Sequence, residues 1–259
     1  MAAWWVLVLV ALAGLVVGSG VVHLAEAALG KRRIARPVCP YCTQPLTPLQ
    51  WSATLSSLVG QARCRTCGRR TRLARALGEL YLTLVWVLLA ARFGFSARSL
   101  AAMATTIPLA MLLVTDLEAK LVPNRITLPS LGVMLLLGTL MGPALPYLNG
   151  WGWWASLAGG AVGFAIFRVL VWVGVAIFGE GALGEGDITL SAYVGAVVGF
   201  PVILASMVLT FAFGGVGALG VLVLGRGKLK TAIPYGPFII LGCSVMQIWG
   251  EEILRWFLT

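Results

Sequence analysis

Long apolar runs with almost no charge inside them limit this chain to a membrane-spanning fold. Eight can be read: Trp4–Leu24, Leu77–Phe95, Leu100–Thr115, Ile126–Leu148, Trp153–Phe178, Ile188–Val202, Ile203–Leu224 and Ile233–Phe257. A helix needs about 20 apolar residues to cross the hydrocarbon of a bilayer. Backbone in lipid must satisfy its own hydrogen bonds, which favours helices. Of the 259 residues, 59% are hydrophobic and 11% charged; soluble domains carry about 25% charged residues. The polar remainder is too small to cover a soluble globule. The expected fold is therefore an all-α polytopic membrane protein with about eight transmembrane helices. The sixth run is short, and its break from the seventh rests on Gly199-Phe200-Pro201. Trp4, Trp5, Tyr147, Trp151, Trp153, Trp154, Trp249 and Trp256 cluster near run ends, as interfacial anchors do.

No Lys or Arg precedes Lys31. A cleavable signal peptide needs a basic start, so the first run is read as a retained helix. The net charge of +10 is concentrated in one segment. Residues 30–76 hold Lys31, Arg32, Arg33, Arg36, Arg63, Arg65, Arg69, Arg70, Arg72 and Arg75, with no Asp or Glu. A nucleic-acid patch would look like this. A cytoplasmic loop between two spans is simpler, so no nucleic-acid partner is expected; the bilayer is the expected surrounding. Alternating the spans from that loop puts fifteen basic residues inside and three outside, with Arg168 within a span. The N-terminus then lies outside. The chain divides into a first helix (1–29), a basic loop (30–76) and a seven-helix core (77–259).

Four of the five cysteines stand in that loop, as Cys39-Pro40-Tyr41-Cys42 and Cys64-Arg65-Thr66-Cys67. Two C-x2-C turns place four thiolates tetrahedrally on one Zn²⁺. Disulfides rarely persist in the cytoplasm, and nearby positive charge favours thiolates. A small zinc-binding cytoplasmic loop domain is expected, with metal supplying much of its folding energy; a redox pair and an iron–sulfur site are the alternatives. Cys243 reads as a buried small hydrophobe. His23, the single histidine, reads as a hydrogen-bonded structural residue. One histidine argues against Ser-His-Asp and His-metal hydrolysis.

Two aspartates stand at span ends in short motifs. Asp116 opens Asp116-Leu117-Glu118-Ala119-Lys120-Leu121-Val122-Pro123-Asn124, and Asp187 closes Gly184-Glu185-Gly186-Asp187. Ionisable groups near hydrocarbon are costly and mark pathways or catalytic sites. Singly, each has a plain reading as a helix cap or an ion-pair member. The charge-based topology puts both at the cytoplasmic face, where a carboxylate dyad can form.

Taken with the cysteine pattern, the chain resembles the prepilin peptidases of type IV pilus and type II secretion systems, within the GxGD membrane aspartic proteases. The resemblance rests on the two C-x2-C turns, Asp116 through Pro123-Asn124, Gly184-Glu185-Gly186-Asp187, and Ile233-Pro234-Tyr235-Gly236-Pro237-Phe238. It implies cleavage of the short basic leader of prepilins or pseudopilins at the cytoplasmic face of the bacterial inner membrane. It also implies Asp116 and Asp187 as the catalytic pair. Gly184 and Gly186 would permit close backbone approach beside Asp187. Pro234 and Pro237 are expected to interrupt the last span, with Pro234 and Gly236 facing the dyad and the substrate. Glu118, Glu180 and Glu185 would attract the basic leader.

Two departures stand out. Thr189 occupies the place, two after the second Asp, where the family commonly has Lys. The family's Asn-Val-x-x-x-Arg-x-Pro stretch is absent; the chain reads Gly20-Val21-Val22-His23-Leu24-Ala25-Glu26. Many members also methylate the new N-terminus with S-adenosylmethionine. Glu79 would match the family's cofactor-site Glu, but the altered first span leaves methylation open. Two rivals remain at this stage. One is a transporter with the Asp pair as a proton or cation relay, which the absence of an inverted repeat disfavours. The other is a membrane-anchored zinc module, which leaves the aspartate motifs unexplained.

Overall fold

The structure is a computed structural model that describes residues 4–29, 37–39, 41–141, 154–179, 184–223 and 234–258. Among these residues there are ten helices and no strand, with two isolated β-bridges. The helices are α1 (Trp4–Ala28), α2 (Pro48–Trp51), α3 (Ala53–Leu58), α4 (Leu73–Phe93), α5 (Ala97–Ala119), α6 (Asn124–Met141), α7 (Trp154–Phe178), α8 (Glu185–Val198), α9 (Val202–Val223) and α10 (Gly236–Leu258).

Among the described residues, six helices are long and apolar enough to cross a membrane: α1, α4, α5, α7, α9 and α10. The protein is thus a multi-pass membrane protein of helical class. The expected count of eight is not reached by this measure. α6 has 18 residues and contains Arg125 and Pro129; the rest of its expected run, to Leu148, lies outside the described residues. α8 has 14 residues, about 21 Å of helix against about 30 Å of hydrocarbon. It is buried from Leu190 to Val198, so it is an inner helix sheathed by others. Gly199 ends it with φ 74°, and a cis Phe200-Pro201 bond leads to α9, close to the expected break.

α8 packs against α6, α7, α9 and α10, while α1, α4 and α5 form a second group joined to it through α10 and through the packing of α5 on α6. Small residues set the closest contact. A Cβ on Gly159 would lie 2.2 Å from the Gly195 carbonyl oxygen, so α7 and α8 touch backbone to backbone, as membrane helices with small faces do. Buried polar bonds lock the two groups together. Tyr193 donates to the Thr105 carbonyl at 2.8 Å, joining α8 to α5. Gln247 donates to Thr105 Oγ1 at 2.8 Å, and Tyr81 lies 2.9 Å from Ser244 Oγ. Such bonds are retained because an unpaired polar group in an apolar interior is costly. Cys243 is fully buried in α10, as a small hydrophobe.

Candidate active site and metal lobe

Each aspartate is delivered by a helix end. α5 stops where Lys120 turns left-handed (φ 51°) and donates its backbone N–H to the Asp116 carbonyl at 2.8 Å. Asp116 therefore sits in the last turn of α5, and the chain reverses through residues 120–123 into α6. Pro123 accepts from the Ile126 and Thr127 backbones and so opens α6. Asp187 sits in the first turn of α8, behind Gly184 as N-cap. Carboxylates are favoured there by the helix dipole.

Two glycines bring these ends together. A Cβ on Gly186 would fall 2.7 Å from Val122 Cβ and 2.9 Å from its carbonyl oxygen. Only glycine lets the first turn of α8 approach the loop that follows Asp116. A Cβ on Gly236 would fall 2.6 Å from Asp116 Oδ2, so the start of α10 rests directly on the carboxylate. Gly186 adjoins Asp187 in sequence and Val122 follows Asp116 by six residues, so the two carboxylate-bearing turns lie side by side. Asp116 and Asp187 are 4% and 6% exposed, so water reaches the pair sparingly. Thr189 donates to Asn124 Oδ1 at 3.1 Å and to the Gly186 carbonyl at 2.9 Å. It clips α8 to α6 where the family commonly has Lys.

The prolines of α10 correct one expectation. Pro234 precedes the helix and Pro237 lies in its first turn, where proline's missing N–H costs nothing. They open the helix and do not interrupt it. Of the acidic neighbours, Glu185 is exposed, as is Gly184 before it; Glu180 lies outside the described residues. Glu118 is no solvated loop charge. Its side chain is 2% exposed and its carboxylate lies 2.8 Å from Arg72 Nη1.

The four cysteines converge, with their sulfurs all within 4.8 Å of one another. Cys39 Sγ lies 3.7 Å from Cys67 Sγ, and Cys42 Sγ 3.6 Å from Cys64 Sγ. Tetrahedral Zn–S bonds of about 2.3 Å would separate sulfurs by about 3.8 Å. All four are free thiols. The two turns repeat one design: Cys39 and Cys64 donate N–H to the carbonyls of Gln44 and Arg69, and accept from Thr43 and Gly68. Thr43 and Gly68 are both left-handed, with φ 58° and 69°. Backbone N–H groups of Cys67 and Thr66 bring the Cys64 thiol down to about 6, while Cys42, against the pull of the Gln44 backbone N–H, is held up to about 12 by burial and the neighbouring sulfurs, so Cys64 is the sulfur that carries the thiolate first.

The lobe is tied to the helices by contacts between residues far apart in sequence. The Glu79 carboxylate accepts from Ser52 Oγ at 2.7 Å and from the N–H groups of Ala53 and Thr54 at 2.8 and 2.9 Å. It thus caps α3 from α4, and its oxygens are occupied by the lobe. Trp51 offers its carbonyl to Ser19 Oγ at 2.8 Å and lies 3.1 Å from His23 Nε2. Arg75, 1% exposed, lies 3.3 Å from Glu26 and 3.2 Å from His23. Arg72 and Arg69 lie over the Tyr41 ring, 5.4 and 4.7 Å from its centroid. Sequence reasoning treated Arg72 and Arg75 as loop charges only. The available signal was their spacing of three at the start of a span, opposite Glu26 at the end of another.

Known proteins supply an independent comparison. Residues 103–219 match the type IV leader peptidase family, and residues 12–93 match the bacterial peptidase A24 N-terminal domain. The prepilin leader peptidase/N-methyltransferase of Aeromonas hydrophila is 30% identical over 230 residues, covering 87% of this chain and 76% of that protein. The protein of the same name from Bacillus subtilis (strain 168) is 28% identical over 226 residues, covering 86% and 85%. That of Pseudomonas putida is 26% identical over 219 residues, covering 83% and 72%. No solved structure matches the chain.

Proposed function

The chain belongs to the type IV leader peptidase family, and from that premise we propose that it is a membrane aspartic endopeptidase removing the short basic leader of type IV prepilins or type II secretion pseudopilins. What supports this reading is that the first turn of α8, which bears Asp187, packs through Gly186 on the loop after Asp116, while the start of α10 rests on the Asp116 carboxylate. Two close carboxylates do not readily ionise together, so they hold one proton between them. The ionised Asp takes a proton from water as its oxygen attacks the scissile carbonyl. The protonated Asp donates to the developing oxyanion. Breaking the C–N bond then returns a proton to the leaving amine. Gly184, Gly186, Pro234 and Gly236 border the place where an extended substrate would lie, with Glu185 at its rim. Glu118 would meet a basic leader only through competition with Arg72.

Loop charge supports a bacterial inner-membrane protein with lobe and dyad on the cytoplasmic side and the N-terminus outside. The division into first helix (1–29), metal loop (30–76) and core (77–259) accords with the lobe's separate cysteine framework. Cys39, Cys42, Cys64 and Cys67 suit Zn²⁺ in donor type and spacing. A closed four-thiolate site would supply folding energy and no catalytic step.

The relatives' names also carry methyl transfer, and for this chain S-adenosylmethionine is a candidate second substrate. The Glu79 carboxylate holds the lobe, so its contribution to a cofactor site would be through that anchoring. A labelled-methyl assay on cleaved product tests this separately.

The peptidase reading is tested by cleaving a prepilin-like peptide in liposomes with wild type, Asp116→Asn and Asp187→Asn. Loss of a general acid or base costs about 10²–10⁴-fold. Both variants should fall by at least that much while remaining folded. Full activity in either one refutes the dyad.

A further inference from the structure

We propose that α2 and α3 of the metal lobe form an interfacial anchor, with their apolar side chains in the headgroup–acyl boundary beside α1 and α4 and the lobe's arginines on anionic lipid headgroups. The partner is the lipid surface. This placement does not depend on the proteolytic reading.

Charge distribution within the loop gives the first argument. Residues 30–76 carry ten basic side chains, yet Thr43 through Ala62 contains no charged residue at all. A loop lying wholly in water has no need of a twenty-residue uncharged stretch. From α2 to the end of α3 its large outward side chains are apolar, with Ser57 the one small polar side chain exposed among them: Trp51 is 44% exposed, Leu55 39%, Leu58 79% and, just after α3, Val59 59%. The inward ones are small or polar and already bonded, namely Gln50, Ser52, Ala53 and Ser56. An amphipathic element with its apolar side outward and its polar side against the protein suits a lipid neighbour and not water.

Depth gives the second argument. Glu26 meets Arg75, and Gly18 lies against the Glu79 backbone, so the end of α1 and the start of α4 lie side by side. The Trp51 carbonyl bonds to Ser19, nine residues before the end of α1, which is about 14 Å down its axis. α3 begins at Glu79, six residues into α4, which is about 9 Å down. α1 is 25 residues long, about 37 Å against about 30 Å of hydrocarbon. Even with the whole surplus of about 7 Å placed at this end, Trp51 and α3 lie at or below the edge of the hydrocarbon.

Continuity is the third. Leu73, Leu77, Leu80 and Leu84 form an exposed stripe along α4, and Val16 is exposed on α1. These are lipid-facing positions of spanning helices, and the exposed side chains of α2 and α3 extend that belt at its end. Arg63, Arg65, Arg69 and Arg70, on the second cysteine turn, are exposed, and Gln50 bonds that turn to α2 at 2.9 Å. An apolar wedge with basic side chains next to it is the pattern that binds anionic membrane surfaces.

The test uses the metal-loaded full chain in vesicles of phosphatidylethanolamine with or without phosphatidylglycerol. A nitroxide is attached at Leu58→Cys or, separately, at Arg65→Cys. The wild type, treated in parallel, gives the contribution of native thiols. The spin label at 58 should be relaxed several-fold more by oxygen, which concentrates in lipid, than by a water-soluble nickel chelate. The label at 65 should show the reverse, with its motion slowed by phosphatidylglycerol and released by salt. Relaxation of the 58 label mainly by the nickel chelate overturns the insertion and leaves the surface to a protein partner. A 65 label indifferent to phosphatidylglycerol overturns the headgroup contact. Leu55→Cys serves as the second insertion probe if Leu58→Cys fails to fold.

Discussion

Gly236 rests on the carboxylate of Asp116 so closely that a single added methyl would stand 2.6 Å from Oδ2. The start of α10 is therefore part of the wall that fixes how Asp116 faces Asp187. Gly236→Ala must move either the carboxylate or the helix start. Overpacking costs about 1–3 kcal/mol, and misplacing a reacting group by about 1 Å costs about 10²-fold in rate. We expect kcat for leader cleavage to fall by about that factor, with a folded, membrane-inserted protein. A kcat within about twofold of wild type, in a variant of normal thermal stability, would show that Gly236 does not position Asp116.

Arg72 and Glu118 join the metal lobe to the last turn of α5. Arg72 stands at the start of α4 over the Tyr41 ring, and Glu118 follows Asp116 by two residues. A hydrogen bond to a charged group contributes about 1.5–3 kcal/mol, reduced here because the Arg72 side chain is 32% exposed. Arg72→Ala leaves the buried Glu118 carboxylate without this partner, so it should destabilise more than Arg72→Ala made on top of Glu118→Gln. A double-mutant cycle by thermal unfolding in detergent checks this. Strict additivity would mean that the pair is not energetically linked.

Much of the site was legible because its motifs are local. Asp116 with Pro123-Asn124, the glycines around Asp187 and the paired C-x2-C turns each lie within a few residues, and local chemistry dictates their turns. The tertiary roles were not legible. Glu118 reads as a loop charge until α4 brings Arg72 across from 46 positions away. That Glu79 anchors the lobe is visible only once the lobe folds back and offers it Ser52, Ala53 and Thr54. α8 reads as a span because its apolarity is the same whether lipid or other helices cover it; only its length of 14 residues separates the two cases. Pro234 and Pro237 read as a break because sequence does not say on which side of them the helix begins.

Glu79→Gln separates anchoring from any direct part in methyl transfer. The amide keeps the side-chain shape but loses the charge that accepts two N–H groups and a hydroxyl. Hydrogen bonds to a charged acceptor are worth more than neutral ones, so α3 should undock more often. Limited proteolysis should cut between residues 48 and 62 several-fold faster, while helix content stays unchanged. A variant that loses methyl transfer with no change in proteolysis would assign Glu79 to a cofactor site directly and not through anchoring.

Metal removal should unfold the lobe and spare the helices. Among the described residues, 37–39 and 41–71 are held to the membrane helices at Trp51, Glu79 and Arg72 and carry two isolated β-bridges. So small a unit owes most of its order to the four thiolates. A chelator strong enough to strip Zn²⁺, or Cys39→Ser with Cys64→Ser, should expose this segment to protease and raise its amide exchange. Circular dichroism of the spanning helices should hold nearly constant. Because Tyr41 stacks on Arg72 and Arg72 reaches Glu118, cleavage should weaken partially, by less than in the aspartate variants. Abolished cleavage with an intact lobe segment would show that the metal acts at the dyad itself; unchanged protease resistance after metal loss would show that the lobe folds without it.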